Sequence, residues 1–428
     1  MQFIPKDILH KSYTFLFLTL SIFTSSVLPQ SIDQSLRSIT IENIQKDDIR
    51  GEDLTIRKAA IEALGDRAGT VVVMSPQSGR IYTIVNQDWG IRRGFKPCST
   101  IKLVSGIAAY SEKLINGNGT LTNDNFRLSL DESLAYSNNS FFQKAGADLG
   151  NRTFIDYARR LGLGERTGIN ATGEYAGKLP FGNENLRIYS HADDFEVSPL
   201  QLAVLVSAIT NGGDLVVPQI PRVDYSNAGF RGFYKRRLDI KPTVYERVIP
   251  GMIGAVKYGT AKGIDPTNLK IAGKTGSCIS DGTWVGLFTS VAPIIDPKFA
   301  VVVITEGKYA RGSHAAAIAG KIYRILGKRF GQTYKGKLSR MTVMQGPKNR
   351  SAIMSPRPQK TVLVAPVNSP ESVSGKTNTK ASKTNAKVRD SREIGDTLKR
   401  SKKKKESVST TVVVGGKTEI TRPRIVRN

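Results

Sequence analysis

Apolar positions along the chain fall into three regimes. The first is a nearly unbroken run, Tyr13-Thr-Phe-Leu-Phe-Leu-Thr-Leu-Ser-Ile-Phe23, with Lys6 and Lys11 before it and the small residues Thr24, Ser25 and Ser26 after it. It is shorter than the ~20 residues that cross a bilayer, so residues 1–30 read as a cleaved export signal. Extended to Leu28, the same run becomes a marginal signal anchor. Either way the body of the protein is expected outside the cytoplasm.

The second regime is periodic. Residues 31–68 are polar and of mixed charge, a short N-terminal linker in which Ile56 to Leu64 has the spacing of an amphipathic helix. From Thr70 to Val85, two β-rich runs flank Pro76-Gln-Ser-Gly79, a hairpin signal. Helical apolar spacing recurs over 99–115, 141–150 and 153–161. Pro199 to Ile209 reads as a buried helix with proline in its first turn, stopped by Asn211-Gly-Gly213. Strands follow at Leu269–Thr275, Gly282–Val291 and Phe299–Thr305, and a helix from Ala315 to Leu326 closes the domain. Strands at both ends with helices between predict a mixed α/β (α+β) layer fold. In it the N-terminal hairpin joins the C-terminal strands in one antiparallel sheet flanked by helices.

The third regime begins after residue 330. Ser, Thr, Asn, Pro and Lys dominate, Lys402–Lys405 is a charge block, and Val412–Val414 is an isolated apolar patch. So little apolar surface cannot offset the entropy of ordering, and residues 331–428 read as a disordered basic tail. The tail explains the low apolar share of the whole chain, 39%.

It also explains the charge. Residues 331–428 hold 23 Lys/Arg against 6 Asp/Glu, a net of +17, while residues 1–330 hold 40 against 30, a net of +10. The basicity therefore describes the tail and is weak evidence for a nucleic-acid enzyme; no specific nucleic-acid partner is expected. The tail serves either solvation or adhesion to anionic envelope polymers or a membrane surface.

Two cysteines exclude a disulfide-framework miniprotein and a four-cysteine zinc site. Of the three histidines, His10 lies in the leader, which leaves His191 and His314 for any multi-histidine metal site. No HExxH or GxxxxGK[ST] pattern occurs, so the common zinc-protease and P-loop readings fall away.

Three short motifs carry chemistry. Ser99-Thr-Ile-Lys102 opens an apolar-periodic helix, and residues three apart share a helix face. A serine hydroxyl needs a base, and a lysine among other cations and little water can act as one. Taken singly the pair reads as a helix cap and a solvated lysine; Ser401-Lys-Lys-Lys404 fits the same pattern in the tail. Ser137-Asn138-Asn139 could relay a proton and bind a peptide carbonyl, or simply cap the Phe141-Phe142 helix. Lys274-Thr275-Gly276-Ser277 lies on a strand, where glycine permits close backbone approach and two hydroxyls with an ammonium make a carboxylate-binding row. An ordinary strand end is the plain alternative.

In this order and spacing the three motifs resemble the SxxK, SxN and KTG signature of penicillin-binding proteins and serine β-lactamases. Phe95–Lys102, Tyr136–Phe142, Gly173–Pro180, Ser198–Ala203 and Asn211–Gly213 also resemble transpeptidase landmarks, so the likeness covers about residues 69–330. It implies a β-lactamase/transpeptidase-like fold, with a five-stranded antiparallel sheet and a helical subdomain. It implies Ser99 as the acylated nucleophile, Lys102 as its base, and Ser137 as a proton relay assisted by Lys274. Asn139 would hold the donor peptide's amide; Thr275, Gly276 and Ser277 would receive the terminal carboxylate of a D-alanyl-D-alanine stem. The oxyanion would meet the backbone N–H groups of Ser99 and Ser277. The implied reaction is peptidoglycan D,D-transpeptidation in the bacterial envelope, with stem peptides and β-lactams as ligands and no metal or organic cofactor. A D,D-carboxypeptidase or β-lactamase is the runner-up, and a non-catalytic stem-peptide binder is a third reading. The absence of a class A deacylation glutamate motif and Asn139 in place of a class D SxV pattern favour transpeptidation.

Three departures stand out. Cys98 replaces a residue that is usually glycine, and Cys278 follows Ser277. If both flanking N–H groups face one oxyanion, as the resemblance implies, these cysteines lie on neighbouring backbones. They then form either a disulfide beside the site, like one in some serine carbapenemases, or two small buried thiols. Tyr189–Glu196 stands where the family carries a glycine-glutamine-glycine loop, so His191 either touches substrate choice or is a surface-loop histidine. Finally, only residues 31–68 separate leader and domain, which implies a stand-alone module without pedestal or glycosyltransferase domains.

Overall fold

The computed structural model describes residues 31–182, 185–221, 230–265 and 269–330. The export segment read at 1–30 and the basic tail read at 331–428 lie outside the described residues.

Helix α1 (Ile32–Lys46) begins at a capping box in which Ser31 and Gln34 satisfy each other's backbone N–H groups. Helix α2 (Leu54–Leu64) starts where the Asp53 carboxylate accepts from the N–H groups of Thr55 and Ile56. The stretch read as a linker with one short helix thus carries two. The tie is polar: buried Arg57 pairs with Asp47 at 2.7 Å and Glu52 at 2.9 Å. Asp47 also accepts from the backbone N–H groups of Asn86 and Gln87. Apolar periodicity does not register such a network.

Strands β1 (Gly69–Met74) and β2 (Ile81–Val85) form the expected hairpin, with Val71 opposite Val85 and a bulge after Val73. A π-helical turn at Asp88–Arg92 and a 3-10 turn at Cys98–Ile101 lead into α3 (Lys102–Ser111). The single helix expected over 99–115 is therefore a tight turn followed by a shorter α-helix. Helices α4 (Leu130–Ala135), α5 (Asn139–Leu149), α6 (Asn151–Arg160) and the one-turn α7 (Ile188–His191) follow. Helix α8 (Pro199–Thr210) has proline in its first turn and is buried on every side except at Thr210, as its near-continuous apolar sequence requires.

Strands β3 (Asp214–Val217) and β4 (Phe233–Arg237) make a separate two-stranded sheet that the apolar pattern did not announce. Helix α9 (Pro242–Lys257) precedes β5 (Ala272–Ser280), β6 (Thr283–Ala292) and β7 (Phe299–Glu306), and α10 (Gly312–Phe330) ends the described chain.

The main sheet has the order β2-β1-β7-β6-β5, with every pair antiparallel. The N-terminal hairpin joins the C-terminal strands through β1–β7, Gly69 opposite Thr305, as the sequence predicts. Alternation on β7 divides the core: Val301 and Val303 face α2 and α10, while Val302 and Ile304 face the helical side that holds α3 and α8. Strand β5 starts later than expected and continues through Ser277-Cys-Ile-Ser280, beyond the run read as a strand. Backbone pairing with β6 continues to its end, Ser280 opposite Thr283. It is also an edge strand, with its outer side turned toward the Cys98–Ile101 turn.

Candidate active site

Three elements converge at that edge. Cys98 takes φ 49° immediately before Ser99, a left-handed conformation that costs an L-residue roughly 1–2 kcal/mol. A disulfide to Cys278 on β5 holds the turn, with the two Cα atoms 5.7 Å apart. The approach is close: a Cβ added to Gly276 would lie 3.1 Å from the Pro97 carbonyl oxygen and 3.3 Å from Cys98 Cβ. A residue without a side chain lets the strand pass the turn at this distance with no adjustment of either.

Lys102 lies one helical turn beyond Ser99 and is fully buried. Its Nζ is 3.1 Å from Ser99 Oγ, 3.1 Å from Ser137 Oγ, 2.9 Å from the Ser137 carbonyl oxygen and 2.5 Å from Asn139 Oδ1. Ser137, at φ 57°, occupies the tight connection between α4 and α5, where Asn138 caps α5. From the opposite side Lys274 Nζ reaches Ser137 Oγ at 2.9 Å and donates to the Thr275 carbonyl at 3.0 Å. One hydroxyl is thus gripped by two buried lysines.

Burial pushes the Lys102 ammonium well below its ordinary range, and the neighbouring Lys274 charge pushes it further the same way. Burial alone brings Lys274 down to about 7. Near neutral pH the pair can therefore hold fewer than two protons, which leaves an amine able to accept one from a serine hydroxyl.

Of the sequence-selected residues, Ser99, Lys102, Ser137, Asn139 and Lys274 fall in one connected hydrogen-bond set, and Thr275, Gly276 and Ser277 line the adjoining strand. The two strand hydroxyls already have partners. Thr275 Oγ1 lies 2.6 Å from Thr260 Oγ1, and Ser277 Oγ accepts from the Gly312 N–H at 2.8 Å. Neither Thr260 nor Gly312 belongs to a recognisable motif, so nothing local singled them out. Of the two readings left open for the cysteines, the disulfide is the one observed. Among the described residues no group of three or more His, Cys, Asp or Glu could hold a metal ion.

The loop that departs from the family pattern closes the far side. Ala192 and Asp194 take φ 59° and 64°, a left-handed backbone that glycine adopts more readily. Asp193 pairs with Lys96 at 2.6 Å and Arg187 at 2.8 Å, fastening the loop to the segment before Ser99. His191 is half-buried, and its Nε2 lies 3.4 Å from Asn139 Nδ2. It is not a surface-loop residue remote from the site.

Residues 69–324 match the penicillin binding protein transpeptidase domain family. The peptidoglycan D,D-transpeptidase MrdA of Acinetobacter baumannii is 22% identical over 382 residues, covering 69% of this chain and 57% of the relative. The peptidoglycan D,D-transpeptidase FtsI of Escherichia coli is 26% identical over 261 residues, covering 53% and 43% respectively. The chain spans about half the length of such curated relatives. Among solved structures, Pseudomonas aeruginosa PBP2 in complex with WCK 5153 superposes with TM-score 0.57 at 20% identity, covering 64% of this chain and 74% of that one. The transpeptidase domain of Burkholderia pseudomallei penicillin-binding protein 3 gives 0.53 at 19%, covering 70% and 95%. At these identities the structural likeness speaks for the fold, an α+β architecture of the β-lactamase-like type.

Proposed function

The chain belongs to the penicillin-binding protein transpeptidase domain family, and from that premise we propose that it is a serine D,D-transpeptidase acting on peptidoglycan stem peptides outside the cytoplasm. The observation that carries the reading is the convergence of Ser99 Oγ, Lys102 Nζ, Ser137 Oγ and Lys274 Nζ through contacts of 3.1 Å or less. A pure binding module needs neither an activated hydroxyl nor two destabilised ammonium groups, and the cysteine pair is at home in an oxidising compartment.

In the proposed cycle neutral Lys102 takes the Ser99 proton as Ser99 Oγ attacks the penultimate D-alanine carbonyl. The backbone N–H groups of Ser99 and Ser277 receive the oxyanion, each donor worth about 3 kcal/mol in the transition state. The Ser137 hydroxyl passes its proton to the departing D-alanine nitrogen and is resupplied from the lysine pair that grips it. Asn139 orients the donor amide, and Thr275 and Ser277 hold the terminal carboxylate. An acceptor amine then attacks the Ser99 ester, its proton returns through the same pair, and a peptide cross-link is released.

The test is labelling of the full chain with a fluorescent penicillin, followed over hours. A lasting adduct that Ser99→Ala abolishes supports the transpeptidase. Rapid release of the label would make it a β-lactamase, and lasting label together with stem peptide that is shortened by one D-alanine and not joined to an acceptor amine would make it a carboxypeptidase. No adduct on the folded protein would leave only a binder.

A further inference from the structure

His191 sits at the end of a hydrogen-bonded row that runs into the lysine pair. Lys102 Nζ donates to Asn139 Oδ1 at 2.5 Å, and this fixes which way the Asn139 carboxamide faces. Its Nδ2 then points at His191 Nε2, 3.4 Å away. An amide N–H can only donate, so Nε2 must offer a lone pair and the ring proton must sit on Nδ1. That Nδ1 is 2.7 Å from Ser190 Oγ, which also accepts from Gln143 Nε2 at 3.0 Å. One hydroxyl oxygen has two lone pairs, so it can receive both donors. Ser190 is fully buried, and its carbonyl oxygen is 3.5 Å from Ser99 Oγ, so the row borders the nucleophile as well.

We propose that His191 is a positioning residue for acylation: its neutral, Nδ1-protonated ring holds the Asn139 carboxamide toward Lys102 and the donor peptide, and its protonation releases that hold. The proposal rests on the transpeptidase reading above. Protonation puts a hydrogen on Nε2, two N–H groups then face each other, and the Asn139–His191 bond cannot persist. The charged groups around the ring are Arg187 at the N-cap of its own helix, Lys102 from α3, Lys96 from the segment before Ser99, and Asp193 from the following loop. Partial burial and the cations outweigh Asp193 and keep the imidazole below its ordinary 6.5, so the ring is neutral at pH 7 and the release falls on the acid side. Lys102 and Lys274 titrate whether or not His191 is present, so His191 adds a step to the acid limb without replacing it.

Two measurements decide it. The first is the tautomer of His191 in the intact wild-type protein, from long-range proton–nitrogen correlation spectra of histidine-labelled chain. His191→Gln identifies the resonance by its loss. An Nδ1–H tautomer supports the proposal, and an Nε2–H tautomer overturns it. The second is the rate of penicillin acylation against pH. Wild type is expected to lose an extra factor of about ten below pH 6.5, the loss of roughly one hydrogen bond, beyond the decline caused by the lysines. His191→Ala is expected to be about tenfold slow at pH 7 and to lack the extra step. His191→Gln, whose amide oxygen can accept where Nε2 did, is expected to be faster than His191→Ala and also to lack the step. Variants that keep the wild-type acid limb would overturn the proposal. Wild-type protein that takes no label would instead refute the transpeptidase reading, with the tautomer still deciding where the His191 proton resides.

Discussion

Lys274 and Ser137 stand 137 positions apart in the chain, yet the lysine Nζ lies 2.9 Å from the serine Oγ. The contact joins an edge strand of the sheet to the turn between two helices. It places a fully buried amine against a hydroxyl that a second buried amine also touches.

That burial has a thermodynamic signature. Lys274 is held at about 7 against an ordinary 10.5, so between these values the unfolded chain binds a proton that the folded chain does not. Stability must therefore rise with pH over this window, and the penalty is fully present below pH 7. Lys102 acts in the same direction. Denaturant unfolding between pH 7 and 9.5 is expected to show wild type gaining stability, with a flatter profile in Lys274→Met. Equal slopes in the two proteins would refute it.

The Cys98–Cys278 bridge closes a loop of 180 residues and ties the nucleophile's turn to β5. Replacing both cysteines by serine is expected to cost about 2–4 kcal/mol in denaturant unfolding and to slow penicillin acylation. A double variant with unchanged midpoint and rate would mean that packing alone holds strand and turn together.

Gly276 tests how close that approach has to be. Gly276→Ala puts a Cβ 3.1 Å from the Pro97 carbonyl oxygen, so strand and turn must give by a few tenths of an ångström beside Ser99. Overpacking of this kind costs about 1–3 kcal/mol, and the displacement falls on the oxyanion donors. Acylation is expected to drop at least about tenfold while the folded state survives. Acylation at the wild-type rate would show that the strand has slack.

Arg57 probes stability away from the site. Its carboxylate partners Asp47 and Glu52 have side chains only 1% and 0% exposed. Arg57→Ala strands two buried carboxylates and is expected to cost about 3–5 kcal/mol. Labelling per folded molecule is expected to remain at the wild-type level. A shift of the unfolding midpoint too small to reach 1 kcal/mol would show that the N-terminal helices contribute little.

Much of this was legible because it is local. Ser99 and Lys102 are three residues apart, and helical spacing alone places them on one face. Proline at the start of α8 and the Val-rich runs of β1 and β7 announce their elements, and the positions of the strands announce the antiparallel sheet. The α1 helix stayed hidden because it buries little more than Thr40, and β3–β4 because its outer strand, Phe233–Arg237, is largely exposed and lacks apolar alternation.

The amino-acid sequence by itself determined which residues were available for chemistry and the order in which they arrive. It also determined local features, the caps and the apolar alternation, and left the two cysteines open between a bridge and free thiols. Tertiary structure alone decided that two lysines share one hydroxyl, that burial lowers their proton affinity, and that Thr260 and Gly312 take up the strand hydroxyls. It decided too that His191 faces Asn139. The physical reason is that desolvation and hydrogen bonding act through space. Their strength depends on which distant segments meet, and polar contacts between such segments leave no periodic trace along the chain.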